Sequence, residues 1–335
     1  MEVYDNYIGN PEDWANYITN VETRETPFLD WVPVGSKPVN PVFNYQVDKF
    51  RAPRLNSHVD GAPWNNAASG GDKRARMNSV IQWFDHGVSV SKLSQNVTDN
   101  PAIADELANE VMKAFKEIAQ DMETNFLDDH DNREDDQVVG YLSRAIGFWL
   151  GSTATSGSPY PVPSGFEVPS GSRITTAWTS MTEDLVRGVL QSIWEECKSG
   201  ETITAFAGSD AVKGYSDFQF RSPESTKASP TQQSTFTRQY KDRAIDRKIT
   251  RYSGDFMDVE LVPTPWLVAV DATATATERK GRTYYLHRSK WELRWNQKPT
   301  AYKQPFRGGS HESYLDALAM LVCKNPRGEG MHAPA

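Results

Sequence analysis

Asp128-Asp129-His130-Asp131-Asn132-Arg133-Glu134-Asp135-Asp136 is the densest run of potential metal ligands in the chain. It could hold a divalent cation, but it lacks the glycine turn and terminal bidentate Glu of a dedicated calcium loop. A solvated loop of mutually repelling charges is therefore the expectation. His86 beside Asp85 is the best candidate general base, although adjacency in sequence leaves a hydrogen-bonded structural histidine as the plainer reading. Ten tryptophans in an acidic chain raise a sugar-binding cleft with paired carboxylates, for which Asp128, Asp131, Asp255 and Asp258 are the candidates. Those tryptophans are scattered, so core packing or interface anchoring explains them more simply. There is no glycine-rich phosphate cradle, no Gly-x-Ser-x-Gly elbow, no His-Glu-x-x-His and no paired cysteine spacing. The residue types point away from an enzyme, and no cofactor or metal is expected.

The totals narrow the remaining classes. The chain has 335 residues and 38% hydrophobic content, enough for one large or two ordinary domains with a buried core. Its acidic start is unlike a secretion signal, and no apolar run reaches the roughly 20 residues that span a bilayer, so no membrane partner is expected. Cys197 and Cys323 each sit in apolar sequence and read as two buried free thiols. A net charge of -8 argues against a protein whose main task is gripping phosphates. It is compatible with enclosing nucleic acid through weak, non-specific proximity.

Residues 21 to 97 are extended, aromatic-dotted and broken by Pro and Gly. An arm that cannot bury Trp31, Phe43, Tyr45, Phe50, Trp64, Trp83 and Phe84 on itself must lay them on something else. Pro11 to Ile18 reads as a short helix, and Thr26 to Pro33, with prolines near both ends, as an extended anchor. Strands are expected from Val42 to Phe50 and from Asn78 to Val90, joined by a flexible tip, Pro53 to Arg76, flanked and seeded by Arg51, Arg54, Lys73, Arg74 and Arg76. That is a long basic hairpin, marginal unless a partner covers it.

A long amphipathic helix follows, capped by Asn100-Pro101 and running to about residue 127. Ile103, Leu107, Val111, Phe115, Ile118, Met122 and Phe126 share one face, with Lys113, Lys116, Glu117 and Glu123 on the other. About 27 residues give a rod of roughly 40 Å. After an apolar segment at 140 to 150 and a Ser/Gly/Pro-rich loop at 151 to 171, a capping-box spacing at Ser180 to Glu183 opens a helix that Gly200 stops. Thr202 to Ala207 reads as a strand, Asp210 to Asp217 as a helix and Ser222 to Thr237 as a polar excursion. Further strands are expected at Arg247 to Tyr252, Met257 to Pro263, Thr283 to His287 and Trp291 to Trp295. Tyr314 to Cys323 is an apolar return that needs cover, most naturally from the long helix.

This order of elements resembles the major capsid proteins of tailed bacteriophages, the Hong Kong 97-type fold. Thr26-Pro27-Phe28-Leu29 is similar to the arm of one branch of that family, and Val88-Ser89-Val90-Ser91 to the strand leading into its spine helix. Arg144-Ala145-Ile146-Gly147-Phe148-Trp149-Leu150 resembles a further segment, displaced by one position. Met181-Thr182-Glu183-Asp184, and Tyr252-Ser253-Gly254-Asp255-Phe256 before Val259-Glu260-Leu261-Val262-Pro263, match two more. The resemblance covers roughly residues 20 to 332.

It implies an α+β structural protein, not an enzyme, with an N-terminal arm at 1–42 and an extended hairpin loop at 43–92. A peripheral domain would take 93–178 with 299–335, including the spine helix, and an axial domain 179–298. It implies self-assembly into pentamers and hexamers of an icosahedral virion shell around double-stranded DNA, formed in the host cytoplasm with separate scaffolding, portal and decoration proteins as possible partners. The anchor motif already at Thr26 points to a scaffold on a separate chain, and no Lys–Asn cross-linking pair is identifiable. A cellular nanocompartment shell of the same fold, of the encapsulin type, is the alternative, and a glycan-binding or glycan-hydrolysing protein a third reading. The expected inter-subunit contacts are Trp31, Trp64, Trp83 and Phe84 as apolar anchors, with Arg51, Arg54, Lys73, Arg74 and Arg76 docking on Asp105, Glu106, Glu110 and Glu117 or on the 128–136 cluster of a neighbour.

Overall fold

A computed structural model describes residues 26–50, 53, 55, 57, 59–61, 74–97, 105–152, 158–218, 250–267, 279–306 and 308–334. The expected elements at Pro11 to Ile18, at Ser222 to Thr237 and at the Asn100-Pro101 cap lie outside the described residues.

Thr26 to Pro33 is not extended. It folds into a single helical turn, α1 (Pro27–Trp31). Pro27 occupies the first turn, where its fixed φ fits and its missing N–H costs nothing. The free N–H groups of Phe28 and Leu29 donate to the two carboxylate oxygens of Glu123, at 2.8 Å each. Phe28 is fully buried edge-on against Phe206. Trp31 packs on the same ring and donates from Nε1 to Thr204 Oγ1 at 3.0 Å. The root of the arm is thus fastened to its own chain.

Strands β1 (Val42–Val47) and β2 (Ala75–Val80) form the expected hairpin, in register from Val42 opposite Val80 to Val47 opposite Ala75. The strand expected at Asn78 to Val90 is in fact two. The chain breaks at Ile81, whose N–H donates to Pro41 O and whose side chain is buried against Met320 and Val322. Beyond it, β3 (Gln82–Ser91) leaves the hairpin and pairs with β10 (Ser310–Cys323), which also pairs with β9 (Trp291–Lys303).

A short helix, α2 (Lys92–Val97), precedes the spine helix α3 (Glu106–Phe126). The described spine begins later than its sequence suggests: the carboxylate of Asp105 accepts from Ala108 N at 3.1 Å and caps it. Its 21 residues span about 32 Å. Ile118, Met122 and Phe126 are buried and Leu107, Val111 and Phe115 half-buried against the three-stranded sheet, with Phe84 edge-on to Phe126. As expected, α3 covers β10. Glu123 departs from the expected polar face and is fully buried.

After α4 (Ile146–Leu150), the second body is a six-stranded sheet in the order β4-β11-β8-β5-β7-β6. Its members are β4 (Arg173–Ile174), β5 (Ile203–Ala207), β6 (Arg251–Ser253), β7 (Asp258–Pro263), β8 (Thr283–Leu286) and β11 (Gly330–His332). The central strands β5 and β8 are buried throughout, because both faces are covered. Helix α5 (Glu183–Cys197) turns Val186, Val189, Leu190 and Ile193 onto this sheet, and α6 (Ser209–Phe218) contributes Ala211 and Tyr215. No capping box forms at Ser180: Thr182 is the N-cap and makes no side-chain cap bond. The helix stops at Lys198, in a left-handed conformation, before Gly200 is reached. Strands β4 and β11 join this sheet from outside residues 179–298, and β9 runs across residue 298.

Candidate inter-subunit surface

The carboxylates that sequence offered as chemistry are each matched to an arginine. Asp128 pairs with Arg279, Asp129 with Arg282 at 2.9 Å, and Asp131 with Arg144 at 2.9 Å. Arg144 is fully buried, stacks on Trp149, and donates also to Asn132 Oδ1, Ser158 Oγ and Tyr160 O. Asp255 pairs with Arg187, and Asp258 with Arg251. The 128–136 run is therefore no uniformly solvated, repelling loop: in its front half Asp128 is buried, Asp131 half-buried and the exposed Asp129 held by Arg282, whereas Arg133 to Asp136 are all exposed. His130 is tied through Nε2 to Ser143 O at 2.9 Å, and burial lowers its pKa. Among the described residues no three His, Cys, Asp or Glu side chains converge as metal ligands would.

The Asp85–His86 pair is broken by the strand that carries it. Neighbours on a β-strand point to opposite faces, so His86 meets Glu117 of α3 at 2.9 Å while Asp85 faces the other way.

The sequence-expected contact residues separate into three groups. Arg51, Arg54, Trp64 and Lys73 lie outside the described residues. Trp31, Phe84, Asp105, Glu110 and Glu117 are used within the chain. Phe84 is only 6% exposed against Phe126, Glu110 holds Lys113 at 2.6 Å, and Glu117 holds His86. Asp105 has its pKa lowered by hydrogen bonds from Gln95 and then from the Ala108 backbone, as an N-cap does. Glu106 is half-buried in the first turn of the spine. Arg74, Arg76 and Trp83 are the group that remains presented outward, with Trp83 58% exposed. Among the described residues Arg74 meets only Asp48, at 3.2 Å on open surface, a kind of pair worth little. Nearby Phe50 and Leu55 are 98% and 96% exposed.

Two regions of surface thus stand out. One is the hairpin, paired with nothing beyond itself among the described residues. Its base is anchored on the face of β10 opposite α3, where Ser79 Oγ donates to Leu321 O at 2.5 Å, Tyr45 donates to Cys323 O, and Phe43 lies under Arg294. Burial raises the Tyr45 pKa, keeping that phenol a donor.

The other is the continuation of that same sheet face beyond the hairpin's cover. Met320 and Val322 are buried under the hairpin, but from Leu318 backward the face opens. The register puts Trp83 opposite Leu318, Asp85 opposite Asp316, Gly87 opposite Tyr314 and Ser89 opposite Glu312, with Gln297, Thr300 and Tyr302 of β9 alongside. Sequence reasoning missed this patch, because its members lie in three distant strands and become neighbours only through register. The local signal is Asp316 set between Leu315 and Ala317, which in a strand must face away from both.

Comparisons with known proteins agree on the fold. The family described as SU10 major capsid protein matches residues 2–332. No curated protein matches the chain by sequence. Among solved structures, the capsid of a native GTA particle aligns with TM-score 0.60 at 12% identity, covering 99% of this chain and 97% of that one. The capsid of cyanophage P-SCSP1u aligns with TM-score 0.60 at 11% identity, covering 100% and 97%. The SrpI encapsulin of Synechococcus elongatus PCC 7942 aligns less well, with TM-score 0.53 at 10% identity, covering 96% and 92%.

Proposed function

The chain belongs to the SU10 major capsid protein family and has the Hong Kong 97-type fold of phage capsids, and we propose that it builds the head shell by wrapping, each subunit laying its hairpin over a neighbour. It is a structural subunit of the virion that assembles with copies of itself. The finer picture is of pentamers and hexamers closing an icosahedral shell around double-stranded DNA, in the host cytoplasm, with separate scaffolding, portal and decoration proteins and with no catalytic chemistry. In that picture 1–42 is the arm, 43–92 the hairpin loop, 93–178 with 299–335 the peripheral domain and 179–298 the axial domain.

The observation that carries the wrapping reading is the hairpin itself. Val47, Met77 and Val80 bury the base of the ribbon against the sheet, but the ribbon has no third strand among the described residues, and beyond that base Phe50 and Leu55 stand in open water with nothing of this chain to cover them. Obligate interfaces of a few thousand Å² are the usual home of such surface. A nanocompartment shell is the second reading, supported by the encapsulin likeness; nuclease-protected DNA inside purified shells separates the two.

Replacing both Arg74 and Arg76 by Glu tests the wrapping. The expected outcome is a soluble, folded subunit whose shell yield, measured by sedimentation and negative-stain microscopy, falls at least tenfold. Wild-type yield would remove the hairpin from assembly.

A further inference from the structure

We propose that the bare acidic half of the β3-β10-β9 face is the surface on which the hairpin of a second copy docks, seated at Asp85, Asp316 and Glu312 and flanked by Trp83, Tyr302 and Tyr314. This rests on the wrapping reading and adds the receiving surface, which that reading leaves open.

Asp85 and Asp316 are directly opposed across β3 and β10. Like charges in that position repel through side chains about 5 Å apart and destabilise the pair. Among the described residues neither forms an ion pair, and Asp316 has only an amide donor, Gln297 Nε2 at 2.6 Å. Glu312 extends the same row of outward positions along β10. Tyr314, between these acids, has its pKa raised by burial first and then by Asp85 and Asp316. Of the four acids that sequence offered as receivers on the spine, three are committed elsewhere, Glu110 to Lys113, Glu117 to His86 and Asp105 to the helix cap, while Glu106 is half-buried with its Oε2 turned out of water.

The occupant follows from charge, chemistry and continuity. Residues 48–76 carry six Lys or Arg against three Asp, a basic stretch in a chain of net charge -8. They also carry exposed Phe50 and Leu55, which suit the rings at the rim of the face. The chain's own hairpin base already covers this same face from Val322 to Met320, so a neighbour's hairpin arriving at Leu318 would continue a packing mode the sheet already accepts.

Asp85→Lys in the full chain tests the assignment, because its two effects point in opposite directions. It turns a repulsive cross-strand pair into an attractive one, so the isolated subunit should melt no lower than wild type, while shell yield should fall at least tenfold. The R74E/R76E variant is run beside it. If both block assembly, the receiving face stands. If R74E/R76E blocks and Asp85→Lys assembles at wild-type yield, the face is wrong although the wrapping survives. If both assemble normally, both fall. If only Asp85→Lys blocks, the face holds some other occupant and the proposal is overturned. Should Asp85→Lys not give a folded subunit, D85N with D316N removes the charge without reversing it and is read the same way, with a yield loss of severalfold expected.

Discussion

The acids of the 128–131 segment and the acids of the β3-β10 face are equally dense, yet the chain treats them in opposite ways. Asp128, Asp129 and Asp131 meet Arg279, Arg282 and Arg144 of their own chain. Asp85 and Asp316 meet each other. Removing a carboxylate from water costs several kcal/mol, so a buried acid must have a cation or hydrogen-bond donors already in place when the subunit folds. An acid on an open face can wait for its cation, because water screens it meanwhile. The difference separates what the subunit needs to fold from what it keeps free for assembly.

The largest effect should come from breaking the buried side of that contrast. Arg144→Ala strands Asp131, unseats the contact with Tyr160 O, and leaves the face of Trp149 without its guanidinium. Loss of one partner of a buried pair typically costs about 3–5 kcal/mol, a large fraction of the total stability of a domain. The expected outcome is an insoluble chain, or a soluble one whose thermal midpoint is more than about 8 °C lower. A midpoint within a few degrees of wild type would mean that the pairing is incidental to folding.

Glu123 is an intermediate case: a buried acid answered by peptide N–H groups and by no cation. Burial is the largest influence on it and pushes its pKa up to about 7, with the N–H groups of Phe28 and Leu29 opposing and Asp30 assisting the rise. A carboxyl whose folded pKa is raised binds its proton more tightly in the folded state. Its contribution is therefore complete below its ordinary pKa, near 4.5, and is lost as pH climbs through about 7. The span corresponds to roughly 3 kcal/mol. In Glu123→Gln that component is absent, so the difference in melting temperature between wild type and variant should shift steadily in the variant's favour from pH 4.5 to 7.5. A constant difference over that range would show that this carboxyl does not titrate where its burial places it.

How much of this was readable beforehand depended on range. The first hairpin strand, the spine's apolar stripe and α6 follow from periods of two and 3.6 that only local sequence is needed to see, whereas β2 starts at Ala75, inside the run read as the flexible tip, and ends at the break at Ile81. The turn at α1 was not visible, since it exists because Glu123 reaches it from 94 and 95 residues away. Placing Glu123 on the polar side of α3 by its type was wrong for the same reason. The partners of the acidic run include Arg282, 153 residues from Asp129, so composition alone made that run look self-repelling. The opposed Asp85 and Asp316 are set by the register of β3 on β10, which no single strand encodes. Hairpin residues were expected to be presented outward from their types, and Arg74, Arg76 and Trp83 are so placed, whereas Trp31 and Phe84 found cover at home.

The smallest expected effect sharpens the open side of the contrast. Asp316→Asn removes one charge of the opposed pair and preserves shape and the ability to hydrogen-bond. Cross-strand pair energies on a sheet face are a few tenths of a kcal/mol up to about 1, so the isolated subunit should become more stable by roughly 0.5 kcal/mol in low salt. Because the repulsion acts between exposed groups, this gain should shrink as ionic strength rises toward 0.5 M and the screening length falls to a few Å. The Arg144 variant supplies the contrast: its loss is a burial effect and should persist with little change over the same salt range. If Asp316→Asn instead destabilised the subunit at every salt concentration, its carboxylate would be serving the fold, as Asp131 does, and the distinction between folding acids and assembly acids would fail at the residue where it is drawn most sharply.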